Sequence, residues 1–237
     1  MQPGWTTISI AGKPAAAFEP PSPLPFALIQ LHDDDGLLPS ADPAFTAILR
    51  QQRLRCLAPH GDHTWWLDRI VPAFDPDTTA MGYLLDHVLP WVESNWNVRP
   101  AATALIGVGM GGQGAIGAGF RHPDRFVTAA SLDGAFDFHE LHGQGTPLDQ
   151  MFASREQCRQ ATAILHIQPH SWPRHIWFGC SPRSEWYRGN DRLAEKLAAM
   201  GVPHTAVLDD PGSVEDRWKS LFTFVRAALE RESHRLL

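Results

Sequence analysis

Three stretches of the sequence bring together residue types that do chemistry. The first is Gly107-Val108-Gly109-Met110-Gly111-Gly112, which joins an apolar run to a run of small residues. Read as G-x-G-x-x-G, it is a turn whose glycines let the backbone approach a pyrophosphate at a helix N-terminus, with Asp133 as the acidic residue about twenty positions on. Read as G-x-S-x-G, it has the flanks of a sharp strand-to-helix turn that presents a nucleophile, and Gly109 stands where the nucleophile belongs. The second stretch, His60-Gly61-Asp62-His63, offers two imidazoles and a carboxylate. H-x-x-H on a loop, with no third ligand evident, falls short of the usual sets, and no metal is expected. The third, His32-Asp33-Asp34-Asp35-Gly36, sets an imidazole beside a row of carboxylates. Cys180 is a lone thiol, Ser131 a hydroxyl with no base beside it, and His166 and His170 read as surface or packing residues.

These residues need elements to hold them. Trp5–Ile10 and Ala15–Phe18 predict an antiparallel hairpin around Gly12. Phe26–Leu31 is apolar apart from Gln30 and predicts a buried strand. Asp42-Pro43 predicts the start of a helix that runs to about Gln52. Further strands are expected at Leu54–Ala58, Thr103–Val108, Phe126–Leu132, Ile176–Cys180 and Thr205–Asp209. Helices are expected over Thr78–Trp96 (kinked at Pro90), Gly112–Arg121, Asp191–Met200 and Glu215–Glu230. Strand and helix alternate, so the fold class is α/β with a mainly parallel sheet. Residues 137–173 break the rhythm and read as an insertion over the C-terminal edge of the sheet, within a single domain spanning 1–237.

His122-Pro123-Asp124-Arg125-Phe126 follows the small-residue helix, Gly201-Val202-Pro203-His204 precedes the last strand, and Trp218 lies in the final helix. With the glycine turn, these make residues 26–230 resemble the putative-esterase branch of the α/β-hydrolase family, the group that includes S-formylglutathione hydrolase. The resemblance implies an α/β-hydrolase fold with an eight-stranded sheet flanked by helices on both faces. It also implies no cofactor, and a serine–histidine–acid triad in the chain order nucleophile, acid, histidine.

All three implied catalytic positions depart from that pattern. The nucleophile position falls on Gly109. The acid position, registered on Trp186, falls on Ser184, with Glu185 as the alternative one residue on. The histidine position, counted back from Trp218, falls on Ser213, and no His occurs between His204 and His234. The implied oxyanion site, a backbone N–H at Asp33 and another at Met110, lies beside carboxylates that oppose a developing negative charge. The implied pocket lining is His32, Trp65, Trp66 and Trp186, and one of the Trp65-Trp66 pair is expected in the core instead. A triad works as a unit, so three losses together point away from hydrolysis.

Composition narrows the classes. The chain has 237 residues, a formal net charge of −6 and 43% hydrophobic residues. That excludes a disordered chain and leaves no basic surplus for nucleic acid. Cys56, Cys158 and Cys180 form no C-x-x-C pair and no disulfide framework. Met1–Trp5 shows no secretory n-region, and no apolar run reaches membrane length, so a cytoplasmic protein is expected. The favoured expectation is a pseudoenzyme with a degenerate triad that binds a small-molecule ligand, a protein partner or a second copy of itself. Two others stay open. One is a carboxylic-ester hydrolase or other enzyme with a site rebuilt from Cys180, His60/His63 or Asp33–Asp35. The other is a dinucleotide binder.

Overall fold

The left-handed conformation of Ala11 and Gly12 (φ 47° and 79°) makes the two-residue turn that joins β1 (Trp5–Ile10) to β2 (Lys13–Phe18). In this computed structural model, which describes residues 1–209 and 212–235, the chain then enters the interior as β3 (Ala27–Leu31). Helix α1 (Pro43–Gln52) starts where the Asp42 carboxylate accepts the N–H groups of Ala44 and Phe45 at 2.8 and 3.1 Å. Pro43, which has no N–H to leave unpaired, takes the first helical position. Left-handed Arg53 ends the helix and turns the chain into β4 (Arg55–Pro59).

The expected long helix before the central strand is present, and a π turn interrupts it. It comprises α2 (Ala80–Tyr83), a π turn at Leu84–Val88 and α3 (Leu89–Trp96). Pro90 cannot donate to the preceding turn and its ring crowds that turn's carbonyl, and the helix widens there into a π turn. Strand β5 (Thr103–Val108) runs directly into α4 (Gly109–Arg121). The helix thus begins at Gly109, not at Gly112 as composition suggested, because packing overrides the poor helix propensity of glycine. After β6 (Thr128–Leu132), residues 137–173 carry two 3₁₀ turns, α5 (Leu148–Met151) and α6 (Arg155–Gln160). Gln113 of α4 holds this segment by accepting the Ala163 N–H at 2.7 Å. The chain closes with β7 (His175–Gly179), α7 (Tyr187–Ala199), β8 (Thr205–Val207) and α8 (Val214–Arg235).

The eight strands form one sheet in the order β1-β2-β4-β3-β5-β6-β7-β8. Strand β2 is antiparallel to both its neighbours, and the other pairings are parallel. Apolar side chains cover both faces. Phe45 of α1 and Trp218 and Phe222 of α8 pack with Leu28 and Ile106 on one face, and Tyr83, Met110 and Ala115 pack with Ile29 and Leu105 on the other. No helix among the described residues is long and apolar enough to cross a membrane.

This topology decides where a site lies. From β3 the chain moves outward to β4, then crosses back to β5 on the other side of β3. Their carboxyl ends therefore flank a switch point, where open α/β sheets place their ligands. The register pairs Leu31 with Gly107, so the residues two further along, Asp33 and Gly109, face each other across that point.

The Asp42 cap supplies a stability test. Asp42→Ala leaves two N–H groups of α1 without their acceptor and lowers unfolding free energy by about 1 kcal/mol. Urea denaturation with an unchanged slope checks it.

Candidate active site

Gly109 has φ +51°, a left-handed conformation that disfavours any residue with a side chain. The direction in which a Cβ would point is filled by the Asp33 carboxylate. Asp33 Oδ1 accepts the Met110 N–H at 2.8 Å and the Asp34 N–H at 2.8 Å. The side chain of Asp33, not its backbone N–H, therefore occupies the region expected to receive an oxyanion. Burial raises the Asp33 carboxyl pKa, the two N–H groups oppose that rise, and the charges of Asp35 and Asp34 add to it.

The backbone around Asp33 is fixed by His32. This ring is 1% exposed. Its Nε2 accepts the Gly61 N–H at 2.8 Å, so the proton sits on Nδ1, which donates to the Asp33 carbonyl at 2.6 Å. Burial lowers the His32 pKa, the bond to the Asp33 carbonyl works against it, and the imidazole stays neutral. The Trp66 indole donates to the His32 carbonyl at 3.2 Å. His32 is thus a strut beneath the loop and not a pocket wall. Trp65 and Trp66 are both core residues, contrary to the expectation that one lines a pocket. They are 3% and 0% exposed, and Trp65 stacks on Phe138 with ring centroids 4.7 Å apart. Trp186 is partly buried and packs against the same core cluster.

Beyond β6 the geometry is dominated by an ion pair that sequence reasoning missed. Asp133, itself left-handed (φ 46°), accepts the Ser181 N–H at 2.8 Å on Oδ1, and Arg217 of α8 donates to its Oδ2. Arg217 is buried, so the pair ties the end of β6 to the loop after β7 and to α8. The two residues lie far apart in sequence, and the only local signal is an Arg next to Trp218 in an amphipathic helix. Asp133 is committed to this pair and does not stand free for a ribose. The other glycines of the turn serve packing: a Cβ on Gly107 would meet the Gly111 carbonyl, and one on Gly111 the Leu31 carbonyl.

The remaining candidates separate. Cys180 is buried, and burial with the nearby Asp133 charge pushes its thiol up to about 12, so it is not a thiolate at neutral pH. His60 lies 3.2 Å from Asp62, and His63 lies 2.7 Å from Asp34. No group of three or more His, Cys, Asp or Glu that could hold a metal occurs among the described residues. Ser131 is buried with no hydrogen-bond partner for its hydroxyl among the described residues. His166 holds the Gln160 carbonyl within its own loop, and His170 is exposed.

A family model described as Putative esterase matches residues 57–235. The chain belongs to that esterase family. A comparison with curated proteins finds no significant match. Solved structures share the fold. The Staphylococcus aureus fluorophosphonate-binding serine hydrolase FphF is 15% identical with TM-score 0.74, covering 95% of this chain and 98% of its own. The Agrobacterium tumefaciens S-formylglutathione hydrolase is 13% identical with TM-score 0.74, covering 100% and 98%. Mycobacterium tuberculosis MPT51 is 16% identical with TM-score 0.73, covering 97% and 99%. At these identities the likeness establishes the α/β-hydrolase fold alone.

The positions to which the family resemblance assigns acid and histidine have local roles in this esterase-family chain. Ser184 closes a turn: its N–H donates to the Ser181 carbonyl at 2.9 Å and its Oγ accepts the Trp186 N–H at 3.2 Å. Glu185 beside it is exposed. Ser213 caps α8: its Oγ accepts the Asp216 N–H at 3.1 Å and donates to Asp216 Oδ2 at 2.6 Å.

Two measurements test this geometry. Gly109→Ala costs about 1–2 kcal/mol from backbone conformation, and more from overlap with Asp33. Adding Asp33→Ala removes the second part, so a double-mutant cycle shows favourable coupling of about 1 kcal/mol or more. The neutral burial of His32 makes stability depend on pH. The unfolded chain takes up that proton as pH falls through the ordinary value of 6.5, before the folded chain does. Stability contributed by neutral His32 is therefore present above 6.5 and lost as pH falls toward the lower folded value. His122, His139, His166 and His175 act in the same direction. His32→Gln makes the fall in unfolding free energy between pH 7 and pH 5 shallower without abolishing it.

Proposed function

We propose that this esterase-family protein has given up serine-ester hydrolysis and acts as a pseudoenzyme that binds a small ligand or a protein partner. The observation that carries this reading is the Asp33 carboxylate, which lies where a nucleophile side chain at Gly109 would stand and takes the Met110 N–H. Acyl transfer needs a nucleophile, a base and donors aimed at the developing oxyanion. Here the elbow residue has no side chain. The accepting nitrogen of His32 is already used by Gly61. The Met110 N–H already serves an anion, and that anion repels a second one.

A rebuilt ester hydrolase finds one foothold, since Asp33 itself stands in the nucleophile's place. Its attack would release the Met110 N–H only by breaking the contact that positions it. Cys180 offers no alternative nucleophile, because its thiol is buried and protonated.

Purified protein is expected to turn over p-nitrophenyl acetate and butyrate no faster than an unrelated protein. It should take no covalent label from a fluorophosphonate. Gly109→Ser restores neither, because the implied acid and histidine positions are still Ser184 and Ser213. Turnover above background that disappears on heat denaturation refutes the proposal. Stabilisation by NAD in a melting assay would support the dinucleotide reading in its place.

A further inference from the structure

Beside Asp33, on the α1/α8 face of the sheet, lies a cavity of about 350 Å³. Its walls come from Gln30 of β3, Asp33 and Asp35 of the following loop, Phe45 of α1, Val108 of β5 and Trp218 of α8. The volume is at the lower end of what small-molecule sites use, which is roughly 300–1,000 Å³. The polar side of the wall offers acceptors. Gln30 is 4% exposed. Its Nε2 donates to the Leu31 carbonyl at 2.9 Å, which fixes the orientation of the amide. Its Oε1 is buried and has no partner among the described residues. Both N–H groups received by Asp33 fall on Oδ1, and Oδ2 accepts none from the described residues. Asp35 Oδ1 takes the Leu37 N–H at 2.9 Å and its second oxygen remains available. A third carboxylate on the rim, Asp42, caps α1 through Oδ1.

No cationic side chain among the described residues lines this cavity. Arg217, next to Trp218 in sequence, is committed to Asp133. The site therefore holds carboxyl groups with no cationic side chain in its walls and a buried orphan acceptor, faced by the aromatic rings of Phe45 and Trp218, which meet edge to face at 4.9 Å. Leu37 extends the apolar wall to the rim and is 68% exposed. Carboxylates that want N–H donors, beside aromatic and aliphatic walls that want carbon, describe a cation with an apolar body. A hard metal ion fits worse, because it takes six or more oxygen ligands and favours no aromatic wall.

We propose that this cavity binds a small organic ammonium, a primary amine on an apolar or aromatic body. The ammonium sits against Asp33 and Asp35, and the body lies against Phe45 and Trp218. This deepens the binding reading above by naming a ligand class. It rests on that reading only in that Asp33 serves as a charge and not as a nucleophile.

The test is calorimetric titration with 2-phenylethylamine, with 2-phenylethanol as the neutral isostere and 3-phenylpropionate as the anion. The amine is expected to bind saturably, the alcohol at least about tenfold more weakly, and the carboxylate not at all. Asp33→Asn keeps an oxygen for the Met110 N–H and therefore folds. It is expected to weaken amine binding about tenfold, and Asp35→Asn, at a more exposed position, by less. Absence of saturable amine binding, equal binding of the alcohol, or an affinity unchanged in both variants overturns the assignment. Ester turnover is measured separately on the same protein. Amine binding together with turnover that survives Asp33→Asn refutes the pseudoenzyme and leaves this site standing, turnover lost in Asp33→Asn overturns both, and neither binding nor turnover refutes this site alone.

Discussion

One contact organises the carboxyl end of the sheet: the Asp33 carboxylate against the N-terminus of α4. The helix runs over thirteen residues and begins at Gly109. Its first turn presents N–H groups with no intrahelical partner and the positive end of the helix dipole. A carboxylate placed there by the β3–β5 register satisfies one of those donors and gains from the dipole. The cost is desolvation of Asp33, visible as a raised carboxyl pKa. A side chain at Gly109 would compete with Asp33 for the same volume, so glycine at the elbow and aspartate on the β3 loop act as a unit.

The surroundings hold that unit in place. His32 clamps the Asp33 carbonyl on one side and the Gly61 N–H on the other, and Trp66 closes over the His32 carbonyl. A neutral, doubly bonded imidazole makes a rigid strut, since both ring nitrogens are used. Across the switch point, the Arg217–Asp133 pair locks α8 to the ends of β6 and β7. Buried pairs of this kind add little net stability against an apolar alternative, but removing one partner strands the other charge. Their effect here is to fix the angle of α8, and with it the position of Trp218 in the cavity wall.

Much of this architecture was legible in local pattern. Asp42-Pro43 marks a helix start by cap chemistry, Gly12 marks the hairpin, and the alternation of strands and helices marks the fold class. What stayed hidden depends on distant residues. Nothing near Pro90 says that the helix will widen into a π turn, because that depends on what packs against it. The start of α4 at Gly109 contradicts propensity and follows from close packing of backbone on backbone. For the Trp65-Trp66 pair, composition cannot say which ring is buried, and Phe138, over seventy residues away, decides it for Trp65. The triad positions were readable as text, but the function of Asp33 was not. A row of carboxylates reads as a solvated loop until the register shows that its first member meets Gly109.

The same N–H dipoles that welcome an oxyanion also welcome a carboxylate, and the consequence for chemistry follows from tethering. Asp33 is held in place by its own strand and by His32, so it meets the Met110 N–H at the effective concentration of an intramolecular group, whereas an ester carbonyl arrives from solution at millimolar levels or below. The carbonyl is neutral, whereas the ionised form of the tethered carboxyl accepts charge-assisted hydrogen bonds, which are roughly twice as strong as neutral ones. Under the proposed function, an ester is therefore disfavoured against Asp33 at the helix N-terminus on both counts. Both N–H bonds that Asp33 receives fall on Oδ1. Oδ2 takes no N–H from the described residues and Asp33 lines the aromatic cavity, so the ligand preference proposed for the site is the reverse of an oxyanion hole.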